Sequence, residues 1–190
     1  DRRHFIGIDV THIAVSIIEF NFKNRFGEAI NVKGSPEDLE AAKDLFDRDP
    51  FQFEAWAVSK VAKLMPNEKK TGDRGVDGRG YFIGDDDKPQ LVLAQVKGGK
   101  NISPTYIRDF IGTIENQGAK LGIFIVLENK NITKGMKTAI AKGNVTVNKK
   151  TYPKIQIYSV EDYFAGRNPP SLPAILDSFT GKPPDLLSRS

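Results

Sequence analysis

The chain has 190 residues, 39% of them hydrophobic and 27% charged, with 12 Phe, enough to bury a sizeable core in one domain with appendages. It has no cysteine and only two histidines, His4 and His12; this excludes disulfides, thiolate metal centres and, past the first segment, any His-based metal site or Ser-His-Asp triad, leaving only a hard, oxygen-bound metal such as Mg²⁺. The net charge of +4 is concentrated: residues 60–154 carry 18 Lys and Arg against 9 Asp and Glu, and both flanks are acidic, as in a nucleic-acid binder or a Lys-rich solvated face.

No run of about 18 apolar residues is present, so no membrane-spanning helix is expected. The start at Asp1-Arg2-Arg3 has neither Met nor a secretory apolar segment, as expected of a piece of a longer chain, and the absence of cysteine fits a reducing cytoplasm. Phe5-Ile6-Gly7-Ile8-Asp9 reads as a short strand ending in an acid, followed by an apolar helix capped by Thr11. A break at Lys33-Gly34 precedes a second helix, with Ser35 as N-cap and Pro36 at its first position. A domain boundary is placed there, dividing residues 1–34 from a domain over 35–166.

Asp49-Pro50-Phe51-Gln52 is a capped helix start, and Phe53, Trp56, Ala57, Val61 and Leu64 recur at helical spacing, predicting a helix to about residue 64 with Trp56 in the core. A polar turn follows. The glycine-rich run Gly72-Asp73-Arg74-Gly75-Val76-Asp77-Gly78-Arg79-Gly80 leads into a first hairpin strand, Gly84-Asp85-Asp86-Asp87 makes the turn, and the second strand returns over 90–97. Period-2 geometry puts Leu91, Leu93, Gln95 and Lys97 on one face of it, with Val92, Ala94 and Val96 on the other. Ser103-Pro104 opens a helix striped by Ile107, Phe110, Ile111 and Ile114; residues 121–127 form a strand buried on both faces; Thr133 caps a short helix; and a last strand lies at 155–158. A Pro-rich tail from Arg167 is expected to be loose, apart from a turn of helix near 174–179. The fold class is α/β, a mixed sheet flanked by helices with an α-β-β-β-α-β core.

The hairpin brings Gln95 and Lys97 back beside Asp77, and polar groups at the end of such a strand need partners. A carboxylate and a neutral oxygen can hold Mg²⁺, and a nearby lysine can orient a water and stabilise charge on a phosphate, which is the set that phosphodiester hydrolysis needs. Gly75, Gly78 and Gly80 would let a DNA phosphate approach closely. The rival reading is a solvated hairpin with a salt bridge.

Gly72-Asp73-Arg74-Gly75-Val76-Asp77-Gly78 followed by Leu93-Ala94-Gln95-Val96-Lys97 resembles the Mrr-type catalytic domain of the PD-(D/E)XK restriction endonuclease superfamily, over residues 50–160. The resemblance implies a restriction-endonuclease-like fold. It also implies a metal-dependent DNA endonuclease that uses Mg²⁺ (or Mn²⁺), with Asp77 as central metal ligand, Gln95 as second ligand and Lys97 positioning the water. Glu54 matches the family's acid on the first core helix and would be a further ligand. Gln95 stands where the superfamily usually has Asp or Glu, which makes the site less acidic and is itself a trait of the Mrr branch. Lys69, Lys70, Arg74, Arg79, Lys100 and Arg108 flank these positions as candidates for DNA phosphates. Cutting both strands needs two active sites or two visits, so a homodimer on DNA is expected.

Residues 2–9 and the apolar helix after them resemble the C-terminal remnant of a DNA adenine/cytosine-N4 methyltransferase domain, in which Asp9 would face the cofactor ribose. The family's glycine-rich cofactor loop and catalytic motif are not in this sequence, so methyl transfer is not expected. The implied whole is a covalently fused modification–restriction polypeptide. The alternative is a catalytically silent DNA-binding module attached to the methyltransferase.

Overall fold

The computed structural model describes residues 30–67, 75–141 and 143–176, together with residues 6, 7, 11, 14, 15, 18, 19, 22, 26 and 27. The expected strand at 5–9 and its Asp9 lie for the most part outside the described residues. Helix α1 spans Leu39–Arg48 and α2 spans Pro50–Trp56, continuing as a π-helical turn over Ala57–Val61. Strands β1 (Met65–Pro66), β2 (Gly78–Ile83) and β3 (Pro89–Lys97) follow. Then come α3 (Pro104–Asn116), β4 (Leu121–Val126), α4 (Lys134–Ile140), the hairpin β5 (Asn144–Val147) and β6 (Lys150–Pro153), β7 (Ile155–Ser159) and α5 (Val160–Phe164).

The main sheet has the order β1-β2-β3-β4-β7. β2 and β3 are antiparallel, as a direct hairpin requires, whereas β3–β4 and β4–β7 are parallel and are joined through helices. Every residue of the central strand β4 is buried, which explains why its sequence is apolar without alternation. The fold class is therefore mixed α/β, as the order of elements predicts.

The alternation along β3 sorts the core into two. Val92, Ala94 and Val96 pack with Ala42 and Leu45 of α1 and with Phe53, Trp56 and Val58 of α2 and its π turn. Leu93 packs on the other face with Ile107, Phe110 and Ile114 of α3 and Met136 of α4. Full burial of each such large side chain contributes roughly 1.5–3 kcal/mol. Trp56 is a core residue, stacked 5.9 Å from Phe164 with the rings 20° apart.

Five expectations are corrected. The N-cap of α1 is Asp38, not Ser35: the Asp38 carboxylate accepts from Ala41 N at 2.8 Å, so the helix begins after Pro36 and not on it. The helix that starts at Pro50 does not run as an α-helix to residue 64; it widens into the π turn at Ala57, where the Ser59 hydroxyl bonds back to the Ala55 and Trp56 carbonyls. Part of the polar turn is strand: Met65 and Pro66 pair with Arg79 and Gly78. The tail is held as far as residue 176, because Gln156 exchanges two hydrogen bonds with the Ser171 backbone, Leu176 N donates to Tyr81 O at 2.6 Å and Ile175 bridges Phe82. The helical turn expected near 174–179 is extended where it is described, and the rest lies outside the described residues.

Candidate active site

The β2–β3 ladder runs to the pair Gly78↔Ala94. Beyond it Asp77 is pinned on both sides: its N–H donates to Ala94 O at 2.9 Å and its carbonyl accepts from Asn67 N at 2.9 Å. Asn67 also donates from Nδ2 to Val76 O at 2.7 Å. The next β3 amide on this side, Val96 N, is past the end of the ladder. It donates to Asp77 Oδ2 at 2.7 Å, so a side-chain carboxylate takes the place of a strand partner. This fixes the acid against the peptide that links Gln95 to Lys97.

Gln95 and Lys97 share the face that carries Leu91 and Leu93, as the period of two predicts. Gln95 is only 7% exposed, and among the described residues its Oε1 meets no hydrogen-bond donor. An orphaned buried polar atom costs roughly 1–3 kcal/mol. A cation beside it would remove that penalty, and a carboxylate with an amide oxygen is a hard donor set of the kind Mg²⁺ takes. The residues present therefore fit a divalent metal. Among the described residues no three of His, Cys, Asp and Glu gather as a metal cluster.

The glycines of this region serve the protein's own packing. A Cβ on Gly78 would lie 2.2 Å from Val58 Cγ1, one on Gly80 would lie 2.4 Å from Leu64 Cδ2, and one on Gly75 would lie 2.7 Å from Gln95 Nε2. Gly78 and Gly80 thus let the π turn and the residues after it settle directly on β2. Gly75, at φ +77°, both turns the chain and leaves room for the Gln95 amide.

Glu54 lies on α2, half-buried, one helical turn before Val58. That helix packs on the Val92–Val96 face of the sheet, whereas Gln95 and Lys97 point to the other. Glu54 thus belongs to the helix on the opposite face of the sheet from Gln95 and Lys97. Arg79 pairs with Leu93 across the ladder and so shares the face of Gln95 and Lys97. Lys100 is exposed in the loop after β3, and Arg108 is exposed on α3, where its Nη2 donates to Thr105 Oγ1 at 3.2 Å. Lys69, Lys70 and Arg74 lie outside the described residues. Sequence reading passed over Tyr106: Lys97 Nζ sits over its ring, 5.6 Å from the centroid. The only signal for it was an aromatic placed three residues after a helix cap.

The chain belongs to the restriction endonuclease family: the family model of the Mrr catalytic domain, described as a restriction endonuclease, matches residues 45–149, more than half of the chain. It spans the elements from the end of α1 to the β5–β6 turn and includes all of the positions above. No curated protein matches the chain. The match begins beyond residues 1–34, so it lends no support to the methyltransferase resemblance of that segment. No helix among the described residues is long and apolar enough to cross a membrane.

Proposed function

We propose that this domain hydrolyses DNA phosphodiester bonds with a divalent cation, Mg²⁺ or Mn²⁺, held by Asp77 and Gln95. The reading is supported by three features at the end of β3: the Asp77 carboxylate bound to Val96 N, the Oε1 of Gln95 with no hydrogen-bond partner among the described residues, and Lys97, which shares the face of Gln95. When bound, the cation supplies a Lewis acid for the phosphoryl oxygen and acidifies a coordinated water. Lys97 orients the attacking water by hydrogen bonding and places positive charge where it builds on the phosphate. Asp77 is held in place by the Val96 amide and does not need to reorganise on binding. Glu54, from α2, adds a third oxygen donor directly or through water.

Arg79, Lys100 and Arg108, with Lys69, Lys70 and Arg74, meet DNA phosphates and so set affinity and its salt dependence, not sequence preference. A homodimer on DNA would bring two such sites to the two strands. The restriction–modification context rests on the resemblance of residues 1–34 alone. One observation favours a second reading, a silent DNA-binding module: the amide of Gln95 contributes no charge to the cation. Supercoiled plasmid incubated with Mg²⁺ or Mn²⁺, with and without EDTA, separates the two. Metal-dependent nicking is expected, whereas DNA retention without cutting and without metal uptake by calorimetry supports the silent module.

A further inference from the structure

We infer that Tyr106 is a positioning residue for Lys97, its ring serving as the seat on which the ammonium rests at the nuclease site. A lysine at a strand end has four rotatable side-chain bonds, and holding its head in one place against that entropy needs a contact. The contact here is the face of Tyr106, 5.6 Å from Lys97 Nζ to the ring centroid, within cation–π range. The ring is itself well placed. Ser103 caps α3, its Oγ accepting from Thr105 N at 3.2 Å, Pro104 occupies the first helical position, and Tyr106 N donates to Ser103 O at 3.1 Å. The next helical residue, Ile107, is fully buried, and Phe110, one turn on, is nearly so, so the backbone beneath Tyr106 is fixed by the core. Tyr106 nevertheless stays 42% exposed, more than a residue kept for packing alone would be. Its place in the first turn of the crossover helix puts a rigid aromatic beside the end of β3, where Lys97 stays partly exposed.

The inference rests on the nuclease reading, and its test has one arm that does not depend on cleavage. At 21.1 kDa the protein is open to NMR. An aromatic ring facing the Lys97 side chain shifts its ε-methylene resonance upfield, and the signal is assigned by its loss in Lys97→Arg. The shift is expected in the wild type and in Tyr106→Phe, and is expected to be lost in Tyr106→Leu. In plasmid cleavage, Tyr106→Leu is expected to lower kcat about three- to tenfold with KM little changed, and Tyr106→Phe to restore it. DNA cutting without an upfield Lys97 signal, or Tyr106→Leu cutting at the wild-type rate, overturns the positioning role alone. Tyr106→Phe as slow as Tyr106→Leu also overturns it, since the ring face would then not be what acts. A wild type that shows the shifted signal and cuts no DNA overturns the nuclease reading, and the catalytic meaning of the contact with it.

Discussion

The Asp77 carboxylate accepts a 2.7 Å hydrogen bond from the backbone N–H of Val96, 19 residues further along the chain. It stands where a strand partner would be if β2 continued, so one side chain both ends the ladder and anchors the site. The bond gives the position a structural role beside the chemical one proposed for it, and the two can be separated. Asp77→Asn keeps an oxygen for Val96 N but loses the charge, so stability should change little while metal affinity falls at least about tenfold. Asp77→Ala leaves the amide without its acceptor and should cost about 1–3 kcal/mol in addition. Urea denaturation paired with Mn²⁺ calorimetry checks both, and equal stability of the two variants would contradict the anchoring role.

Among the described residues the Gln95 Oε1 has no hydrogen-bond partner, and on the proposed reading that cost to the fold is the cost of the metal site. Gln95→Met removes that oxygen at similar volume and should leave the metal-free protein as stable or more stable, by up to about 1 kcal/mol. It should also abolish the rise in melting temperature on adding Mn²⁺. Thermal denaturation with and without the metal reads both effects, and a Gln95→Met protein that Mn²⁺ still stabilises would remove Gln95 from the donor set.

Gly78 is a packing residue. Gly78→Ala drives a methyl to within 2.2 Å of Val58 Cγ1, with Met65 O at 3.1 Å, and should cost roughly 1–3 kcal/mol. Val58→Ala in the same chain should recover part of that loss. The check is a double-mutant cycle in urea; strict additivity of the two changes would contradict the contact.

Glu128, just past the end of β4, is held ionised below the usual glutamate range by its hydrogen bond from Lys130, with a further one from Lys43 of α1, against the opposing effect of its burial. A carboxylate depressed in the folded state contributes stability that is fully present above its unfolded value and is lost as pH falls through the folded one. Glu128→Gln should therefore lower stability near neutral pH and flatten its decline between about pH 5 and pH 3. Denaturation midpoints across that window check it, and parallel curves for the two proteins would contradict it.

The sequence shows Asp77, Gln95 and Lys97 because a hairpin with a known turn fixes which residues return beside which, and a period of two fixes the face. The buried strand β4 and the capped helix α3 were legible for the same reason: their signals are local. What escaped depends on contacts between elements. The π turn at Ala57–Val61 has no pattern of its own, and the close seat of Val58 on Gly78 appears only when helix and sheet are brought together. Asp38 and Ser35 are both acceptable caps by residue type, and the structure chooses Asp38 because the helical backbone bonds begin with Ala42 N on the Asp38 carbonyl, while the Asp38 carboxylate takes Ala41 N. Tyr106 reads as one more surface aromatic until the crossover helix carries it beside Lys97. The docking of residues 171–176 on Gln156, Tyr81 and Phe82 was hidden by a composition rich in Pro and Ser.

Whether Asp77 and Lys97 serve one cutting site is tested most directly by plasmid cleavage with the wild type, Asp77→Asn and Lys97→Ala, with DNA binding measured alongside. The prediction is metal-dependent cutting by the wild type and a loss of at least about a hundredfold in each variant, with the affinity for DNA in EDTA retained. Cutting that survives either substitution, or a wild type that binds metal and DNA and leaves the plasmid intact, would contradict it.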